Sequence, residues 1–219
     1  MQPTDFSPPP HHTIVAHCED YLQAHGDNHL GVGWPNEADA QTRYGVMLDL
    51  LRLGGPEPVR VLDFGCGPAH LYQYLLDHGL QHRIHYTGLD VSEKYLQLAR
   101  AKYPEVPLLA LDVLREPEAL PAFDYILMNG VLTQKCTVGF DDMWTYAQQL
   151  LQTVFAKARV GLAFNVMTKH VDWERDDLFH LPLDTLAAFL KRQLSRHVVF
   201  RHDYGLYEYT TYVYREPQR

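Results

Sequence analysis

The chain has 219 residues, 27 Asp and Glu against 19 Lys and Arg, and a formal net charge of -8 at pH 7. That length suits one domain with a modest addition, and it buries enough apolar surface to fold without staples. The acidic balance argues against a surface built to neutralise phosphates, because nucleic-acid affinity rests largely on Lys and Arg displacing counterions, and leaves room only for a local basic groove.

The N-terminus, "MQPTDFSPPPHH", has neither a basic start nor an apolar core, and no apolar run approaches the roughly 20 residues that span a bilayer. The expectation is a soluble, cytoplasmic protein with no membrane partner. Cys18, Cys66 and Cys136 are odd in number and lack the paired spacings of a zinc site, which reads as free thiols in a reducing compartment. Thirteen histidines, among them His11, His12 and His17 beside Cys18, match no metal motif. The first two fall on a Pro-rich tail read as mobile, so no metal is expected.

After that tail, "TIVAHCEDYLQAHG" puts Ile14, Cys18, Tyr21 and Leu22 on one helical face, with Gly26 as the stop. "EADAQTRYGVMLDLLRLGG" gathers Tyr44, Met47, Leu48 and Leu51 and ends at Gly54-Gly55 and Pro56. Residues 1–57 thus read as a tail with a helical cap, and residues 58–219 as the core domain. From residue 59, short apolar runs alternate with amphipathic helices: "VRVLDF", "AHLYQYLLDHG", "IHYTGLD", "SEKYLQLARAKY", "VPLLALD", "FDYILMN", "DDMWTYAQQLLQTVFAKA" and "RVGLAFNVMT". That alternation is what a parallel sheet covered on both faces requires. After a helix near "LDTLAAFLKRQL", the runs "RHVVFRHDY" and "LYEYTTYVYR" are separated only around Gly205, too short for a crossover, and therefore pair antiparallel. The fold class is α/β, a Rossmann-like seven-stranded mixed sheet with helices on both faces and an antiparallel C-terminal hairpin. The aromatic-rich last strand, with Tyr207, Tyr209, Tyr212 and Tyr214, reads as core or interface, and the oligomeric state is not legible.

The turn "VLDFGCGPAHL" carries the chemistry. A dinucleotide fingerprint needs G-x-G-x-x-G, and here His70 stands at the third glycine. The frame D-x-G-x-G-x-A fits through Asp63, Gly65, Gly67 and Ala69, with Cys66 between the glycines. This frame resembles motif I of the class I S-adenosylmethionine-dependent methyltransferases, and the resemblance covers residues 58 to 214.

The resemblance implies S-adenosyl-L-methionine as cofactor, leaving S-adenosyl-L-homocysteine. Asp90, ending the second strand, would accept from both ribose hydroxyls. Asp112, ending the third, would reach the adenine amino group, with Val91 and Val113 sandwiching the ring. Asn129 and Gly130 would line the methionine moiety. As plain structure, Asp63 or Asp112 could instead cap a helix or turn. The stretches "HLGVGWPNEADAQTRYGVMLDLL", "TKHVDWERDDLF" and "RHDYGLYEYTTYVYR" are similar to a bacterial subgroup of this family that acts on small molecules. In it the residues before the first strand close over the cofactor, which makes Arg43 a partner for the methionine carboxylate and Trp34 a cover near the sulfonium. Arg43 also reads as a helix-surface charge, and Trp34 as a packing residue.

The resemblance implies methyl transfer to an oxygen or nitrogen of a small-molecule acceptor. His170 is the candidate base; Lys169 and Trp173, then Tyr204 and Tyr207, are candidates for holding the acceptor. The [DN]-P-P-[YF] motif of many enzymes that methylate amino groups of nucleobases and glutamine is replaced by "NGVL", which adds to the case against a nucleic-acid partner. The alternatives are a regulatory protein that binds the cofactor without turnover and an NAD(P) oxidoreductase; the second is opposed by His70, the antiparallel ending and the lack of a Y-x-x-x-K pair.

Overall fold

The computed structural model describes residues 9–55 and 57–217. Seven strands, β1 (Val59–Phe64), β2 (Ile84–Asp90), β3 (Leu108–Ala110), β4 (Phe123–Met128), β5 (Ala158–Met167), β6 (His197–Arg201) and β7 (Glu208–Tyr214), form one sheet in the order β3-β2-β1-β4-β5-β7-β6. The first five run parallel, and β7 lies antiparallel between β5 and β6. The mixed sheet and its antiparallel ending are those expected from the sequence.

Side chains alternate across the sheet, as strand geometry demands. Leu62, Phe64, Ile126, Met128, Leu162 and Phe164 enter one core with residues of α5 (Phe140–Lys157) and α6 (Leu183–Gln193). Val61, Tyr125, Leu127 and Ala163 enter the other with α2 (Glu37–Leu48) and α3 (His70–Asp77). β7 is buried along its whole length, which resolves the tyrosines: Tyr209 packs on the first face, Tyr212 and Tyr214 on the second, and only Tyr207, before the strand, is exposed.

The cap docks through hydroxyls. Tyr212 donates to the Val46 carbonyl and Tyr214 to that of Leu50, at 3.2 Å for the second. These bonds satisfy carbonyls that a helix end leaves unpaired. They also explain why α2 ends at Leu48 rather than at the glycines: Leu50 is fully buried, and the chain turns to deliver it to the sheet. Pro56 lies outside the described residues. α1 (Pro10–His25) ends on Gly26 at φ 72, the expected stop, but starts three residues before the expected helix. His11 and His12 therefore belong to a helix and not to a tail; residues 1–8 of the tail lie outside the described residues.

Candidate functional site

The carboxyl ends of β1, β2 and β3, with the β4 loop, wall a first cavity of about 180 Å³ beneath α1. Gly65 sits at φ 73, and a Cβ there would lie 2.7 Å from a Val131 methyl, so the turn accepts no larger residue. Ala69 adopts the same left-handed region at φ 62, fully buried at the start of α3. Asp90 clamps the loop: one oxygen accepts the Gly67 N–H at 2.9 Å and the other the Ser92 N–H at 2.8 Å. Burial raises its carboxyl above the usual range, opposed by those backbone donors.

Asp63 is buried and accepts the Tyr86 hydroxyl at 2.7 Å. Burial pushes its carboxyl up to about 7, with the Tyr86 bond pulling down and Asp90 pushing up. A cation in the cavity would favour its ionised form. Cys66 is buried and its thiol raised well above the ordinary value by burial. Val91, Val113, Asn129, Gly130 and Trp34 complete the wall with Asp112. Gly130, at φ 81, receives the Trp34 indole so closely that a Cβ would stand 2.7 Å from it.

The cap is latched over this cavity. The Tyr95 hydroxyl lies 2.8 Å from the carbonyls of Cys18 and Gly31. Asp27 holds His70 at 2.7 Å and Lys102 at 2.8 Å. His70, which breaks the dinucleotide frame, is thus a strap anchor. His11 is buried, stacks on Tyr146 and lies 3.1 Å from Asp112 Oδ2, while Oδ1 of Asp112 accepts the Leu114 N–H at 3.1 Å. His11, His12 and Asp112 present three ligand atoms within 4.8 Å of one another. The placing of His11 and His12 on a mobile tail is what the structure corrects, since both lie in α1.

A second cavity, of about 420 Å³, adjoins the first; Gly33, Trp34, Thr133 and Gln134 line both. Arg43 lines the second and not the first, which corrects its expected place in the cofactor site. The reason is Glu208: Nε and Nη2 of Arg43 both lie 2.9 Å from its Oε2, and the guanidinium covers the Trp34 ring at 4.1 Å. Glu208 Oε1 accepts from Asn165 Nδ2 at 2.8 Å, and Asn165 Oδ1 accepts the Gly130 N–H at 2.7 Å. One buried network thus joins α2, β7, β5 and the β4 loop. The surface-charge reading of Arg43 fails, since it is 8% exposed.

Trp173 and Tyr207 line the second cavity at its exposed mouth. Lys169 is exposed, turned to Glu174 at 2.7 Å, and lines neither cavity. His170 is exposed and also lines neither. The buried histidine on the second cavity is His180, whose Nδ1 lies 2.6 Å from the Thr168 carbonyl. Tyr204 bonds Thr210 at 2.9 Å and lines neither cavity. Sequence reasoning missed His11, Gln134, Asn165 and His180. Asn165 had a signal, a polar residue within the apolar run "GLAFNVM"; the other three gain their places from contacts distant in sequence.

Residues 62–156 match the family model of a methyltransferase domain. A protein of Mycobacterium tuberculosis (strain ATCC 25618 / H37Rv) named "Putative methyltransferase Rv1506c" is 30% identical over 164 residues, covering 72% of this chain and 93% of that protein. The crystal structure of magnesium protoporphyrin IX methyltransferase from Synechocystis PCC 6803 with bound SAM aligns at a TM-score of 0.63 and 17% identity, covering 97% of this chain and 100% of that one. That of the Burkholderia thailandensis 1,6-didemethyltoxoflavin-N1-methyltransferase, with its namesake substrate and S-adenosylhomocysteine bound, aligns at 0.59 and 18% identity, covering 99% and 94%. At those identities the two structures show a shared fold.

Proposed function

The chain belongs to the S-adenosyl-L-methionine-dependent methyltransferases, and from that premise we propose that it methylates an oxygen or nitrogen of a small-molecule acceptor held in the second cavity. One observation carries the proposal: the cavity walled by Asp63, Asp90 and Asp112 adjoins, across Trp34 and Gln134, a second cavity whose Trp173 and Tyr207 are exposed.

The donor set of the first cavity suits the cofactor. Asp90 would take the ribose hydroxyls on lone pairs left beside its two backbone bonds, a carboxylate having about four acceptor sites. Asp112 would take the adenine amino group once His11 yields Oδ2, with Val91 and Val113 about the ring. Asp63, Asn129 and Gly130 would face the methionine end, where an ionised Asp63 favours an ammonium or sulfonium. When bound, the cofactor supplies an electrophilic methyl: the S–CH3 pair stays on sulfur, an acceptor lone pair bonds the methyl, and the acceptor's proton passes to water. What this chain contributes is alignment and exclusion, and orientation alone can supply roughly 7–11 kcal/mol of a barrier. Trp34, pinned by Arg43 and packed on Gly130, stands between the two cavities and directs the acceptor toward the first.

The test is incubation with methyl-labelled S-adenosyl-L-methionine and separate pools of phenols, amines, carboxylic acids, protein and RNA. Label in a small-molecule pool supports the reading. Label confined to protein or RNA, or cofactor binding with no transfer to any pool, overturns it.

A further inference from the structure

Six buried side-chain polar atoms lack a partner among the described residues, and two of them belong to residues lining the second cavity: Arg43 Nη1 and Gln134 Oε1. An unpaired buried polar group is costly, and native structures keep few of them without a purpose. The pair has opposite polarity, since a guanidinium N–H only donates and an amide oxygen only accepts. Arg43 is 8% exposed and held by a hydrogen bond from Nε and an ion-pair contact from Nη2 to one oxygen of Glu208, so its third nitrogen is a donor of set direction. Gln134 lines both cavities and so stands at the wall they share, across which the proposed transfer would run.

Charge decides which oxygen Arg43 would hold. Its positive charge is already matched by Glu208, that of Arg175 by Asp177 at 2.5 Å, and half-buried Asp39 and exposed Asp172 line the same cavity. A carboxylate or phosphate entering there would meet unbalanced negative charge. The flanking rings of Trp34, Trp173 and Tyr207 suit a flat apolar body.

Resting on the methyltransferase reading, we propose that the acceptor is an uncharged aromatic molecule that presents a carbonyl-type oxygen to Arg43 Nη1 and a hydroxyl or N–H to Gln134 Oε1. Gln134 is then a positioning residue: it accepts the hydrogen of the atom to be methylated and so aims that atom's lone pair. The amide cannot keep the proton, which leaves to water at the open mouth as the new bond to carbon forms.

The test is calorimetry on the full chain, first with S-adenosyl-L-homocysteine and then, at saturation, with 2- and 4-hydroxybenzamide, the matching hydroxybenzoates and unsubstituted benzamide. At least one hydroxybenzamide should bind ten times more tightly than its hydroxybenzoate. Gln134→Met should weaken that hydroxybenzamide about tenfold and leave benzamide, which lacks the hydroxyl, within twofold. Arg43→Met combined with Glu208→Gln, which leaves no buried charge alone, should weaken both amides. Tighter hydroxybenzoate binding, no hydroxybenzamide binding, or indifference of the hydroxybenzamide to Gln134→Met would overturn the proposal while the cofactor reading stands. Failure of S-adenosyl-L-homocysteine to bind would remove both.

Discussion

The first cavity takes its carboxylates from the ends of β1 and β2 and from the loop just after β3, Asp63, Asp90 and Asp112, whereas the second is closed by groups drawn together from afar, Arg43 and Glu208 being 165 residues apart. In the first, two of the three carboxylates bond locally at the sheet edge, Asp90 to the glycine loop and Asp63 to the neighbouring strand, while Asp112 is met by His11 of α1. In the second, Arg43 meets Glu208 only once α2 has docked on the sheet. The floor of the first cavity is therefore built by the sheet, whereas the second closes on an ion pair between α2 and the last strand.

Removing Glu208 breaks the second half most severely. Glu208→Ala leaves the Arg43 charge buried alone and should cost about 3–5 kcal/mol in denaturant unfolding, with most of the loss recovered when Arg43→Met is added to Glu208→Leu. A loss under about 1 kcal/mol would mean that the network does not hold the cap. The first half is sharpened by pH. Burial pushes the folded Asp63 carboxyl up to about 7, above the 3.8 of a free aspartate, so between those values the folded state binds the extra proton. Stability of the cofactor-free protein should fall as pH rises through that window and level off above it, and Asp63→Asn should remove the slope. If only ionised Asp63 welcomes the cationic cofactor, S-adenosyl-L-methionine affinity should rise about tenfold from pH 6 to 8, as read by calorimetry.

Asp112→Ala should weaken S-adenosyl-L-homocysteine by about tenfold, the worth of one strong hydrogen bond, with no change in acceptor selectivity. At the mouth, Trp173→Ala should alter stability by less than about 0.5 kcal/mol while raising the acceptor KM several-fold. The smallest effects belong to Lys169→Ala and His170→Ala, which should leave turnover within about twofold, since neither residue lines a cavity.

The same contrast explains what the sequence made legible. Strand ends follow from alternation and turn chemistry, so "VLDFGCGPAHL" and the residues Asp90 and Asp112 are legible in the sequence alone. The limits of β1 and β2 agree with the sequence reading to the residue. Arg43 could be flagged as a useful fork but not assigned a partner, because nothing local distinguishes pairing with a ligand from pairing with Glu208. His170 drew attention by standing in a polar, aromatic loop, yet the buried histidine is ten residues on, where β5 and the following segment meet. His11 was lost for a related reason: a proline-rich start reads as a tail, but Pro10 suits the first turn of a helix, and Tyr146 and Asp112 give that turn somewhere to dock.

The most direct test of a sheet-built cofactor site is calorimetric titration with S-adenosyl-L-homocysteine, with NADH as control, on the native chain and Asp90→Ala. The account predicts saturable one-site binding, no NADH saturation, and about a hundredfold weakening in the variant, close to 2.7 kcal/mol. Saturation by NADH instead, or equal binding by native chain and variant, would contradict it.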